Sequence, residues 1–222
     1  MTTKVREKRN AKGWEMIIPI ISTLAILCFT SVPFFTKEIS LHISITFGVL
    51  IAVLVATLLC GYSWGEVEEE MIKGIRRAMD TIIFIAVFNL FISSSIVSGW
   101  IPTFIYYLTQ SPVIAEAYKL NPVVFTIPVI VIIMLIKKFS VVPSLILGVF
   151  LNGIAAKLFQ GTSFSDILVN TLYGGAVEFG NTVLDRVLVR LNGFYESLWL
   201  ITLVIVSVML YAVLKKIGFL KG

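Results

Sequence analysis

Residues 41–59 read LHISITFGVLIAVLVATLL, an uninterrupted apolar run without a single charge. As a helix rising about 1.5 Å per residue, it covers the ~30 Å hydrocarbon core of a bilayer. Five further runs accompany it: Trp14–Val32, Thr81–Val97, Pro122–Ile136, Val141–Phe159 and Leu198–Leu214. Pro122–Ile136 is short and must thin the bilayer or borrow flanking residues. Across the 222 residues, 58% are hydrophobic and 14% charged, too few polar groups to coat a soluble domain. None of the runs has the alternation of a membrane strand. Only helices and closed barrels satisfy the backbone in lipid, so the fold class is all-α: a polytopic helical membrane protein of about six spans.

The charges orient these spans. Lys4, Arg6, Lys8, Arg9 and Lys12 precede the first; Lys73, Arg76 and Arg77 follow the second. Lys137 and Lys138 follow the fourth; Lys215, Lys216 and Lys221 follow the sixth. The alternate connections hold only Lys37, Lys119, Lys157, Arg186 and Arg190. This is a positive-inside pattern with both termini cytoplasmic. The net charge of +5 is thus a topology signal and not a nucleic-acid footprint. No small-x-small cleavage site follows Phe29, so the first run reads as a retained span. Cys28 and Cys60 sit in apolar sequence without metal spacing and read as free thiols.

A repeat lies beneath the hydropathy. Gly48–Gly74 aligns with Gly148–Gly174 without a gap. Gly48, Val49, Ala56, Leu58, Gly61, Ser63 and Gly74 match Gly148, Val149, Ala156, Leu158, Gly161, Ser163 and Gly174. Shared membrane composition explains the aliphatic matches but not three glycines, a serine and an acid in register. Ile18-Pro19-Ile20-Ile21 likewise resembles Ile127-Pro128-Val129-Ile130. Three spans separate equivalent positions, an odd number, so the copies should have inverted topology, as in many secondary transporters. The organisation expected is a basic N-terminus (1–13), a first repeat (14–110), a connecting loop (111–121), a second repeat (122–217) and a C-terminal tail (218–222).

In both copies, Ser63-x-x-Glu66 and Ser163-x-x-Asp166 have capping-box spacing. After Ser63, acids lead, basic residues trail, and Val67, Met71, Ile75 and Ala78 share a face. That pattern predicts an amphipathic helix on the cytoplasmic surface, ahead of the third span.

Polar residues inside spans need a reason. Asn89 is followed by Ser93, Ser94, Ser95 and Ser98, then by Gly99, Pro102 and Thr103. Glycine and proline can break a helix there, and the hydroxyls can line an ion path or simply let helices pack closely. Glu178, Asn181, Thr182 and Asp185 form a second stripe, on one helical face. Its oxygens suit a hard cation such as Na⁺, and it equally fits a solvated face beside Arg186 and Arg190. Glu15, His42 and Asn152 read as isolated packing or interfacial groups. No catalytic arrangement, resident metal site or phosphate loop is present in the sequence, so neither an enzyme nor a cofactor is expected.

Several of these motifs resemble the NhaC-type Na⁺/H⁺ antiporter family. They are Gly61-Tyr62-Ser63-Trp64-x-Glu66, Gly74-Ile75-x-Arg77-Ala78, Ser98-Gly99-x-Ile101-Pro102-Thr103 with Tyr106-Tyr107, and Glu178-x-Gly180-Asn181-x-x-x-Asp185. They follow family order through most of 14–199. The family's Ser/Thr/Gly-rich, Asp-containing segments after the Tyr-Tyr motif are missing here, since Gln110 runs into Ser111–Asn121, so the resemblance is to a shortened member. It implies a multi-pass plasma-membrane exchanger of Na⁺ for H⁺, with the lipid bilayer as its environment. The ion-binding candidates are Glu178, Asn181, Asp185 and Asn89; Ser94, Ser98 and Thr103 are candidates for the ion path or broken helix. A homo-oligomer is compatible with the sequence. The alternative is a non-transporting membrane scaffold or assembly subunit derived from such an antiporter.

Overall fold

The computed structural model describes residues 8–30, 37–174 and 193–219, and every regular element among them is helical. These are α1 (Gly13–Thr30), α2 (Lys37–Leu54), α3 (Trp64–Val97), α4 (Trp100–Thr109) and α5 (Pro112–Ala117). There follow α6 (Thr126–Ile136), α7 (Val141–Ala155), α8 (Phe164–Tyr173) and α9 (Phe194–Lys216). Leu41–Leu59, Trp64–Val97, Val141–Gln160 and Ser197–Lys216 are long and apolar enough to cross a membrane. Gly13–Phe29 and Pro122–Ile136 are shorter apolar helices. The protein is a multi-pass helical membrane protein.

The predicted surface helix and the third span are one continuous helix of 34 residues, α3. Between Ile75 and Val97 there is neither glycine nor proline, so nothing interrupts the hydrogen-bond ladder where composition turns from charged to apolar. Residues 111–121, expected to be a connecting loop, contain α5, which starts on Pro112 at a position where proline's missing N–H costs nothing.

The chain forms two compact units, residues 1–80 with 202–222, and residues 81–201. In the first unit, α1 packs along α2, and at Gly48 any Cβ would collide with the Thr23 hydroxyl. Ala52, Val55, Ala56, Cys60, Val67, Val213 and Ile217 form its core. Polar groups seal one end. Arg9 donates to both carboxylate oxygens of Glu15, at 2.7 and 2.6 Å, and Glu15 also accepts from the Lys12 amide. The Arg9 and Ala11 amides donate to the carbonyls of Cys60 and Ile217, tying the N-terminal segment to the ends of two other helices. Lys8 pairs with Glu66, and Lys73 and Lys216 with Glu70.

The aligned segments end alike. A π-turn closes α2 at Val55–Leu59 and α7 at Ala156–Gln160. The Tyr62 amide donates to the Ala56 carbonyl, as that of Thr162 does to Ala156. Gly61 and Gly161 have φ of 77° and 76°, values open to glycine at little cost. Then come the two caps. Ser63 and Glu66 exchange backbone and side-chain hydrogen bonds; the Ser163 hydroxyl accepts from the Asp166 amide and donates to its carboxylate.

The charged first half of α3 lies ahead of its apolar stretch, and there Lys8 and the Ser63 amide and hydroxyl hold Glu66 at about 2, below its ordinary 4.5. A carboxyl depressed by folding contributes stability that is full above its unfolded value and lost as pH falls through its folded one. Amide exchange at residues 64–67 should therefore accelerate between pH 4.5 and 2 beyond the intrinsic trend. Glu66→Gln should remove that acceleration; a persistent one would assign it to another group.

Candidate functional site

Within the second unit, α3 and α7 share a polar cluster in otherwise apolar surroundings. Ser94, Ser95, Ser98 and Asn152 are all buried. The Asn152 amide donates to the hydroxyls of Ser94 (3.1 Å) and Ser95 (2.9 Å), and its carbonyl accepts from the Ser98 hydroxyl at 3.0 Å. The serines also donate within α3: Ser94 and Ser95 to the Phe91 carbonyl, Ser98 to that of Ser95. Three hydroxyl oxygens, an amide oxygen and two main-chain carbonyls thus come together in the apolar interior.

The cluster sits where the helix stops. Gly99, with φ 88°, separates α3 from α4, and its amide closes back on the Ile96 carbonyl. Thr103 is buried and donates to the Gly99 carbonyl at 2.6 Å. Gln160 bridges the break to the loop before α6: its amide donates to the carbonyls of Ser98 and Lys119, and its oxygen accepts from the Lys119 amide. A Cβ at Gly99 would run into the Gln160 side-chain nitrogen. Gly99→Ala should therefore lower stability by about 1–2 kcal/mol for the left-handed backbone alone, and by more once Gln160 is displaced. A thermal melt in detergent checks this; an unchanged midpoint would mean the break is not locked.

Of the residues expected to serve the ion, Ser94 and Ser98 come together in this cluster. Asn89 is half-buried and donates to Ile85 of its own helix, as Thr103 does within α4. Glu178, Asn181 and Asp185 lie outside the described residues. Asn152, set aside in the sequence as an isolated packing group, is instead the hub joining three serines. Its signal was a lone amide in a run whose one charge, Lys157, lies near its end, costly in lipid unless paired. Nearby, Tyr118 is pushed up to about 12 by burial, so it keeps its proton across the physiological range. No group of three His, Cys, Asp or Glu among the described residues could hold a metal ion.

The family model described as Na⁺/H⁺ antiporter family matches residues 105–222, just over half of the chain and all of α7. The chain belongs to the Na⁺/H⁺ antiporter family. It is similar to the Na⁺/H⁺ antiporter NhaC of Alkalihalophilus pseudofirmus, 29% identical over 105 residues. That stretch is 46% of this chain and 22% of the relative, so the chain matches under a quarter of that antiporter's length. No solved structure matches.

Proposed function

We propose that the chain is a secondary active transporter that exchanges Na⁺ for H⁺ across the plasma membrane, with both termini cytoplasmic. The observation that carries this reading is the family match over residues 105–222. The buried cluster supports it, because a dehydrating Na⁺ needs several oxygens in place of its water shell. Ser94 and Ser98 would line the path at the helix break with Thr103. Glu178, Asn181 and Asp185, with Asn89, would supply the ion-binding groups and the negative charge that the cluster lacks. The shared side of the termini is supported by the first unit, where residues 8–11, Cys60 and Ile217 are joined through their backbones. The twin π-turns, glycines and caps support two repeats of three spans, and inverted repeats can alternate access by rocking.

A second reading has its own observation. The hydroxyls of Ser94, Ser95 and Ser98 all have hydrogen-bond partners, as in a clasp that only fixes two helices. On that reading the chain is a non-transporting scaffold or assembly subunit. Proteoliposomes of the purified chain, loaded with a pH-sensitive dye and given a Na⁺ pulse, separate the two. Exchange predicts Na⁺-dependent proton movement that a K⁺ pulse does not evoke. A folded, inserted protein giving none would favour the scaffold.

A further inference from the structure

A groove of about 440 Å³ runs beside α7 and α8 in the second unit. Phe150, Gly153, Ile154, Leu158 and Phe164 line it, and Lys157 is its one charged lining residue. Phe150, Ile154, Leu158 and Phe164 are exposed, so the groove opens at the surface. Lys157 is exposed too and makes no ion pair among the described residues. The same face thus presents an apolar trough and an unneutralised ammonium near the end of a candidate span. A lysine there can lay its methylene stem along apolar surface and hold its charge at headgroup level.

We infer that this groove is a binding site for an anionic phospholipid, with an acyl chain along Phe150, Ile154 and Leu158 and the headgroup phosphate on Lys157. Charge complementarity selects this occupant. A zwitterionic lipid fills the trough equally but carries a cation that offsets its phosphate. A protein segment would have to bring its own acid to the ammonium. Ser94 of the buried cluster also lines the groove, but lipid retention needs neither Na⁺ nor a proton, so its test stands apart from that of the exchange reading.

Gly153 makes the test clean. It lies within α7, and a Cβ built there meets nothing within 4 Å. Gly153→Leu would place a side chain in the trough and, as the better helix former, should leave the helix intact. The chain, reconstituted in nanodiscs of equal phosphatidylglycerol and phosphatidylcholine, is released into mild detergent, and retained lipid is read by native mass spectrometry. The wild type should keep one phosphatidylglycerol about fivefold over phosphatidylcholine, the preference expected of one lysine near a headgroup. Lys157→Gln should retain both lipids about equally, and Gly153→Leu should retain neither, with helicity unchanged by circular dichroism. Equal retention by the wild type, or a preference surviving Lys157→Gln, overturns the headgroup assignment. Retention surviving Gly153→Leu overturns the groove, and a wild type that keeps no lipid overturns the lipid site altogether.

Discussion

Asn152→Leu should cut Na⁺-dependent proton movement sharply while leaving a folded, membrane-inserted protein. Leucine keeps the branched shape with slightly bulkier methyl groups and removes every polar contact between α7 and the three serines. The hydroxyls are not orphaned, because Ser94 and Ser95 still donate to the Phe91 carbonyl and Ser98 to that of Ser95. Interhelical hydrogen bonds in membranes average about 0.6 kcal/mol each, so losing three costs on the order of 2 kcal/mol, which a helical membrane protein survives. The charge path is hit harder: the amide oxygen goes and an apolar wall replaces it. The flux assay should therefore fall by at least about tenfold, equal to a barrier increase of about 1.4 kcal/mol, while circular dichroism and size-exclusion behaviour hold. Flux at the wild-type rate would make the cluster a clasp and nothing more.

Gly148→Leu should have the opposite signature, a loss of folded protein and not a selective loss of flux. A Cβ at Gly148 would sit 2.5 Å from the Phe91 ring and 2.9 Å from Val131, so α3, α6 and α7 touch where this residue has no side chain. The neighbours cannot yield cheaply, since Phe91, Val131 and Leu145 form a buried cluster of their own. Overpacking by one or two methylenes costs typically 1–3 kcal/mol, and a leucine adds more. Expression in the membrane fraction and the melting midpoint in detergent should both drop sharply. Gly48→Leu should behave likewise at the α1–α2 contact, against Thr23. A normal melt for both variants would show that these glycines are not points of close approach.

The paired effect at Gly48 and Gly148 marks how far the sequence could be read. Both were visible as matching letters in an ungapped alignment. The reason for the match, a neighbouring helix pressed against each, is a fact of packing. The caps were more fully legible, because Ser-x-x-Glu and Ser-x-x-Asp act over three residues of one chain and need no distant partner. The continuity of α3 was less legible, because the change in composition at Asp80 and Thr81 looks like a boundary, yet charged and apolar residues both propagate a helix and no glycine or proline interrupts it there.

By itself, the sequence determined the all-helical membrane class, since long uncharged runs leave no other way to satisfy a backbone in lipid. It also determined the break after Ser98, where glycine permits the left-handed turn that α3 takes. Tertiary structure alone decided which polar residues meet. Ser93, Ser94, Ser95 and Ser98 are equivalent as letters, yet Ser94, Ser95 and Ser98 turn to Asn152, whereas the buried Ser93 hydroxyl finds no partner among the described residues. Asn152 stands more than fifty residues away on another helix. No periodicity in either segment encodes that meeting; it follows from how α7 packs against α3, whose close approach leaves no room for a Cβ at Gly148 beside Phe91.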